Sequence, residues 1–544
     1  MARGKPDYHD VYRSFDWTSV LRELGWDGAQ QSINLGHTII DRHAGSDQIA
    51  LYWFGRDGSS ATLTYRDLKI MSDKFANLLL SLGVAEGDRI AGVLPRIPET
   101  LAIMIGTWKA GGVYVPIFSG FGRDAIAFRI RHCGAKIVCT HDQYRARIPE
   151  LSGATVVTVA GSSGKTPSSD INFWDAMNRQ SDALDLVPRS RRDPAVILYT
   201  SGSTGEPKGV QISGNFLAAV RPFMKYGGDV RPGDMFWPTG DPGWGWGFVC
   251  YHAALAMGVP VVSHEVPPTA ELFVDLLERQ QITNVATVPT ILRAVMAEGA
   301  EKLINRKLRL RCISSCGEPL NAEVVHFFQK TTGVTPCDQY GSSENGLPVG
   351  NFNGLDAPVK PGSMGNPMPG HDMAVVDEHG VEVGVGTVGY IALRPSTEGY
   401  YSVGYWDDME RTHSLFRNGW LVVGDLARRD EDGYFWFEGR ADDLIKTSGY
   451  RVGPFEIESA ILHHPLVAEA AAIGKPDGMK GQIIKAFVTL KPGQAKSPNF
   501  EQEIQDVVRE RVGNHAFPRE VVVMDVLPKT ESGKIQRFKL RASG

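Results

Sequence analysis

From Tyr199 to Gly209 the chain reads YTSGSTGEPKG, directly after the apolar run AVIL. Three glycines (Gly202, Gly205, Gly209), four hydroxyl residues (Thr200, Ser201, Ser203, Thr204) and Lys208 fall within ten positions from Thr200. Small residues let backbone N–H groups approach an anion, hydroxyls add donors, and a lysine adds charge. The segment therefore has the chemistry of a phosphate cradle. Its spacing is not the GxxxxGK[ST] of P-loop kinases and GTPases.

Further clusters carry charge beside glycine or hydroxyl. Gly317-Glu318-Pro319 follows ISSC, and Tyr340-Gly341-Ser342-Ser343-Glu344 ends in a carboxylate next to two hydroxyls. Asp425 lies in GWLVVGDLARRD, Arg440, Asp442 and Asp443 in GRADDLIKTSGYR, and Lys534 in LPKTESGKIQR. A GxGxxG at Gly384, Gly386 and Gly389 runs on into the strand-like YIALRP, so it offers no helix N-terminus to a pyrophosphate and reads as a turn between strands.

These residues need a scaffold. From Thr64, apolar residues Leu68, Met71, Phe75, Leu78, Leu79 and Leu82 recur at steps of three and four behind a Thr64/Asp67 capping box, and Gly83 stops the run. Strand and helix patterns alternate to about residue 330, which predicts an α/β architecture with largely parallel sheets. From about 360 to 440 the text changes to short strands and turns, a small β-rich subdomain. Beyond GRADD two helices, starting near Pro454 and at EQEIQDVVRERVG, and three strands predict a separate α+β domain over 441–544, after an N-terminal domain of 1–440.

Composition narrows the partners. At 544 residues the chain exceeds a single domain of ~150 residues. Lys+Arg 57 against Asp+Glu 62 gives a net charge of −5, so no basic field steers nucleic acid or an anionic membrane. Glycine, 60 of 544 residues, is about 11% against a usual ~7%, an excess that must serve turns or sites. Six cysteines without a CxxC pair argue against a disulfide framework or zinc and for a reducing, cytoplasmic setting. The start lacks the apolar core of a secretory signal. The uncharged run from Gly243 to Ser263 contains His252, four glycines and Pro260, and reads as a loop, a short buried helix ending at Gly258 and a strand, not a membrane span.

The motifs YTSGSTGEPKG, YGSSE, GWLVVGD, GRADDLIKTSGYRV and PKTESGKIQR, in this order and spacing, resemble the adenylate-forming enzyme superfamily of acyl-CoA synthetases, luciferases and nonribosomal adenylation domains. The resemblance covers nearly the whole chain. GYRVGPFEIES and DPGWGWG are similar to the acetyl- and medium-chain acyl-CoA synthetases. This implies an acid–thiol ligase that forms an acyl adenylate from a carboxylic acid and ATP with Mg²⁺, then an acyl-CoA and AMP.

By the same resemblance, residues 200–208 hold the β- and γ-phosphates, with Tyr340 and Ser343 also at ATP, and Glu344 helps to bind Mg²⁺. Gly317, Glu318 and Pro319 line the adenine. Asp425 accepts from the ribose hydroxyls with Arg440 nearby, and Lys534 touches the reacting groups. Asp442 is the hinge of a mobile C-terminal domain, and Ser448, Gly449, Tyr450 and Arg451 line the coenzyme A tunnel. Trp244, Gly245, Trp246, Cys316 and Gly341 line the acyl pocket, with Trp246 a candidate wall. Acetate-specific relatives carry tryptophan where this chain has Gly341, which points to a short-to-medium-chain, branched or aryl acid. Glu531 stands where relatives often carry a basic residue, and acylation of Lys534 is a form of control found in relatives. Two alternatives stay open: transfer to a carrier-protein thiol, though the chain ends ten residues after Lys534, and a non-catalytic nucleotide sensor of the same fold.

Overall fold

The computed structural model describes residues 4–26, 32–150, 153–161, 164–200, 207–396, 399, 401–441, 443, 445–447, 450–477, 481–514, 516–529 and 534–542. The Thr64/Asp67 capping box forms: the Thr64 hydroxyl accepts from the Asp67 N–H while the Asp67 carboxylate accepts from the Thr64 N–H. It opens helix Tyr65–Ser81, which buries Leu68, Phe75, Leu78 and Leu79. Each such side chain contributes ~1.5–3 kcal/mol of transfer free energy. Helix Pro98–Lys109, nearly apolar throughout, packs against it, and Gly106 is what lets them approach: a Cβ there would lie 2.7 Å from the Ser72 carbonyl.

Two large sheets form the N-terminal domain. In the eight-stranded one, Pro194–Thr200, Val113–Pro116, Arg89–Val93, Ile137–His141 and Thr155–Val159 run parallel, while Lys208–Ser213 and Ser402–Tyr405 add antiparallel strands at one edge. In the nine-stranded one, Asn284–Thr287, Cys312–Cys316 and Pro336–Ser342 lie side by side and parallel. Parallel sheets gather the carboxyl ends of their strands on one side, where ligands bind. The uncharged run becomes the buried helix Gly245–Ala256, a left-handed Gly258 and the parallel strand Val261–His264. Among the described residues no helix is long and apolar enough to cross a membrane.

The β-rich part is an antiparallel sheet of Asp372–Val376, Gly389–Arg394, Phe416–Arg417, Trp420–Arg429 and Phe435–Arg440. Strand Ser402–Tyr405 departs from the expected boundary, because it leaves this stretch to pair with Lys208–Ser213 of the large sheet. Gly384 and Gly386 of the GxGxxG sit between Asp372–Val376 and Gly389–Arg394, with Gly386 at φ +78°, and Gly389 opens the strand, so no helix follows. The C-terminal domain is richer than two helices and three strands. The described residues hold a five-stranded sheet and helices Pro454–Ile461, Phe500–Arg511 and Arg537–Ala542. The extra strands are the hairpin Ile445–Thr447 and Tyr450–Val452, too short to show a period in sequence. Ile445, Val452, Ile457, Ile461, Ala472, Val488, Ile504 and Val508 form this domain's own core.

Candidate active site

Strand register assembles the motifs. Cys316 pairs with Gln339, so the Gly317-Glu318-Pro319 loop leaves its strand beside Tyr340 and Gly341. Asp425 and Arg440 are opposite each other in the hairpin of Trp420–Arg429 and Phe435–Arg440. These segments face a cavity of about 310 Å³ that the C-terminal domain closes with Glu458, Glu469, Lys529, Lys534 and Arg537. A second cavity of about 280 Å³ lies next to it, lined by Trp244, Gly245, Trp246, Cys316 and Ser343 among others. Both include Gly317, Gly341, Ser342 and Lys534, so the two spaces meet at these residues.

The first cavity is built around buried polar groups. The Tyr340 hydroxyl donates to Oδ2 of Asp425 at 2.7 Å, and Nη1 of Arg440 donates to Oδ1 at 3.2 Å. Burial pushes the Asp425 carboxyl above the usual carboxylate range, and the Arg440 charge and the Tyr340 hydrogen bond pull it back. Glu318 accepts from Thr290 Oγ1 at 2.8 Å and pairs with Arg293. Gly317 adopts φ +102°, a left-handed conformation suited to glycine. Asp338 lies on the same wall, buried, with Oδ1 lacking a partner among the described residues. Burial pushes its carboxyl above the usual carboxylate range, and the backbone N–H groups of Leu320 and Gln339 pull it back. Its other oxygen, Oδ2, accepts from the Leu320 N–H at 3.4 Å.

Near the phosphate motif, Thr200 pairs with Lys208 across the antiparallel strands that flank it. Residues 201–206, with the expected Ser201, Gly202, Ser203, Thr204 and Gly205, lie outside the described residues, as do Asp442, Ser448, Gly449 and Glu531. Tyr450 and Arg451 lie on the strand Tyr450–Val452, and their side chains lie outside the description. Lys208 Nζ stands 5.6 Å from the Tyr405 ring centre, and burial together with Arg411 lowers its pKa. The Tyr405 hydroxyl donates to Oε1 of Glu344 at 3.0 Å.

Glu344 and Lys208 line neither cavity; Tyr405, on the edge strand Ser402–Tyr405, joins them. No group of three or more His, Cys, Asp or Glu poised for a metal occurs among the described residues. One carboxylate is nevertheless the arrangement Mg²⁺ uses when substrate phosphates supply its other oxygens. Asp338, Arg293 and Tyr405 were not among the residues expected from sequence. Asp338 lies in a strand of mixed composition, Pro336–Ser342, whose burial no sequence period announces, and the other two meet their partners only through folding.

In the second cavity Gly341 is fixed by its neighbour. Added to this backbone, a Cβ would stand 1.9 Å from the Gly346 carbonyl oxygen of the paired strand. Gly245 is roomier, its Cβ position 3.3 Å from Leu198. Trp246 is largely buried and packs on Phe223, with ring centres 5.2 Å apart. Burial raises the Cys316 thiol to about 12, so it stays protonated. Arg96 enters this cavity paired with Asp241 at 3.4 Å.

Comparison with known proteins agrees with this layout. The AMP-binding enzyme model matches residues 40–406 and the AMP-binding enzyme C-terminal domain model residues 456–534. An acetyl-coenzyme A synthetase of Bacillus subtilis is 36% identical over 98% of this chain and 95% of its own length. The crystal structure of a Brucella canis acyl-CoA synthetase, 38% identical, superposes with a TM-score of 0.79 over 99% of both chains. A benzoate CoA ligase from Burkholderia xenovorans, 26% identical, superposes at 0.82 over 94% of this chain and 100% of its own. With both lobes matched and relatives of this type aligned end to end, the chain belongs to the AMP-binding enzyme family, as an adenylate-forming acyl-CoA synthetase and hence an acid–thiol ligase.

Proposed function

We propose that this enzyme activates a carboxylic acid larger than acetate and passes the acyl group to coenzyme A. The observation that supports the acid class is the 280 Å³ space beyond Gly341, where the Gly346 carbonyl leaves no room for a side chain that would shorten it. Sequence similarity is higher to acetyl-coenzyme A synthetases, at 36% identity, than to the benzoate ligase, at 26%, so the acid class rests on the cavity alone. Each methylene buried against Val249, Ile291 or Leu347 adds ~0.8 kcal/mol, about a fourfold preference. Pyrophosphate release measured over acids of two to ten carbons plus benzoate tests the reading. Propionate or a larger acid should give the highest kcat/KM; acetate in first place would overturn it.

The reaction joins negative oxygen to negative phosphate, so it rests on positioning and charge neutralisation and not on a protein nucleophile. The acid's oxygen attacks the α-phosphorus of ATP as the bond to pyrophosphate breaks. In our reading Asp425 accepts from the ribose hydroxyls, Asp338 and the 317–319 loop hold the adenine, and Lys208 with residues 200–205 holds the outer phosphates. Glu344 would help to hold Mg²⁺, which would supply positive charge against the phosphates. Lys534, which lines both spaces, meets the carboxylate and the α-phosphate where they react.

In the second step the thiol of coenzyme A attacks the acyl carbonyl, AMP leaves, and the thiol proton passes to solvent. Residues 448–451 line the path of the thiol after the domain turns at Asp442. Acylation of Lys534 would remove the charge that the first step uses.

A further inference from the structure

The loop that lines the nucleotide cavity is also where the C-terminal domain rests. Asn321 Nδ2 donates to Oγ of Ser459 at 3.0 Å, and Glu323 Oε1 lies 2.7 Å from Nε2 of His463. Ser459 is on helix Pro454–Ile461, and His463 follows it. On its other side Asn321 Oδ1 accepts from Arg293 at 3.4 Å, and Arg293 holds Glu318. The short run from Gly317 to Glu323 thus touches the nucleotide space at one end and the lysine-bearing domain at the other.

The contact of Glu323 with His463 suits repeated opening, while Asn321 is buried at the other. Glu323 and His463 side chains are 30% and 28% exposed, so water can replace each partner when they part. The helix on which Ser459 lies is held within its own domain by a stronger pair: Arg537, three residues after Lys534, donates twice to the buried Glu458 at 2.7 and 2.8 Å. The lysine segment and this helix therefore move as one body. Whatever holds the helix against residues 321–323 also holds Lys534 in the reaction space.

We propose that Asn321–Ser459 and Glu323–His463 form a releasable latch that keeps the C-terminal domain in the lysine-in orientation, which makes Glu323 and His463 positioning residues for Lys534. The proposal rests on the two-step reading above: acyl-adenylate formation needs the latch closed, and thiol transfer needs it open.

The test measures the two steps separately in the full-length enzyme. Glu323→Lys should slow acid-dependent pyrophosphate exchange about fivefold while thioester formation from supplied acyl adenylate is unchanged. Adding His463→Glu restores an opposite-charge contact and should recover the exchange rate. Ser459→Ala, a milder change that keeps the proposal testable if Glu323→Lys folds poorly, should act in the same direction with a smaller effect. Equal loss of both steps in Ser459→Ala and Glu323→Lys, or no recovery in the double variant, overturns the latch. Failure of the unsubstituted enzyme to make thioester from supplied adenylate would overturn the two-step reading and the latch with it.

Discussion

The Tyr405 hydroxyl donates to Oε1 of Glu344 across 3.0 Å, while the same ring lies beside Lys208. Burial and the Glu344 charge raise the Tyr405 pKa, so the hydroxyl stays a donor at working pH. The pairing of Ser402–Tyr405 with Lys208–Ser213 thereby brings one carboxylate and one lysine to the same tyrosine.

Tyr405→Phe should weaken Mg²⁺-dependent ATP binding by about 3- to 10-fold, as expected for a net hydrogen bond of ~1 kcal/mol. Calorimetric titration of ATP with and without Mg²⁺ checks it. Metal-independent AMP binding should not change, and an equal loss for AMP would show a general packing defect instead.

Lys534→Ala should lower acyl-adenylate formation by at least ~10² to 10³ yet leave thioester formation from supplied acyl adenylate near its normal rate. Separate assays of the two steps decide. Parallel loss would contradict the placement of Lys534 at the meeting of the two cavities.

The two pocket glycines should respond differently. Gly245→Val, where a Cβ meets only Leu198 at 3.3 Å, should move the preference toward shorter acids with the fold retained. Gly341→Ala sets a methyl against the Gly346 carbonyl and should destabilise the protein by ~1–3 kcal/mol, the usual range for overpacking. An acid panel and thermal unfolding distinguish these outcomes.

Asp425 gives a signed pH dependence. Its carboxyl binds a proton more tightly in the folded than in the unfolded chain, so its contribution to stability is fullest at acid pH and is lost as pH rises through the raised value. If Asp425 accepts from the ribose as proposed, nucleotide binding runs the opposite way, because hydroxyls donate to the carboxylate and not to the acid. Arg440→Gln removes the charge that restrains the shift, so the acid limb of ATP affinity should move toward neutral pH. Arg440→Lys should leave it nearly in place. An unmoved limb in Arg440→Gln would remove Asp425 from the ribose.

The elements that sequence made legible are those with local causes. The Thr64/Asp67 box, the 3.6-residue stripe behind it, and the glycine-punctuated run from Gly243 to Ser263 each form as expected. The hairpin at Ile445–Thr447 and Tyr450–Val452 and the helix Arg537–Ala542 escaped notice because they are too short for periodicity and depend on packing. At the site, the motif residues Gly317, Glu318, Tyr340, Asp425, Arg440 and Lys534 do converge on one cavity. Arg293 and Tyr405 could not be foreseen, since the packing of helix Pro289–Glu298 and an edge-strand pairing bring them to Glu318 and Glu344 across distances that no spacing rule spans.

The sharing of Gly317, Gly341, Ser342 and Lys534 between two cavities bears on the fate of the intermediate. On the proposed function, an acyl adenylate is a tethered pair, with adenosine in the first space and the acyl chain in the second. Once one end is seated, the other binds at the effective concentration set by a phosphate-length linker, on the order of millimolar or higher. The joined molecule is therefore retained far more firmly than AMP or the free acid. On that reading, this avidity would keep the activated acid on the enzyme between the two steps and release both products once the thiol has cut the tether.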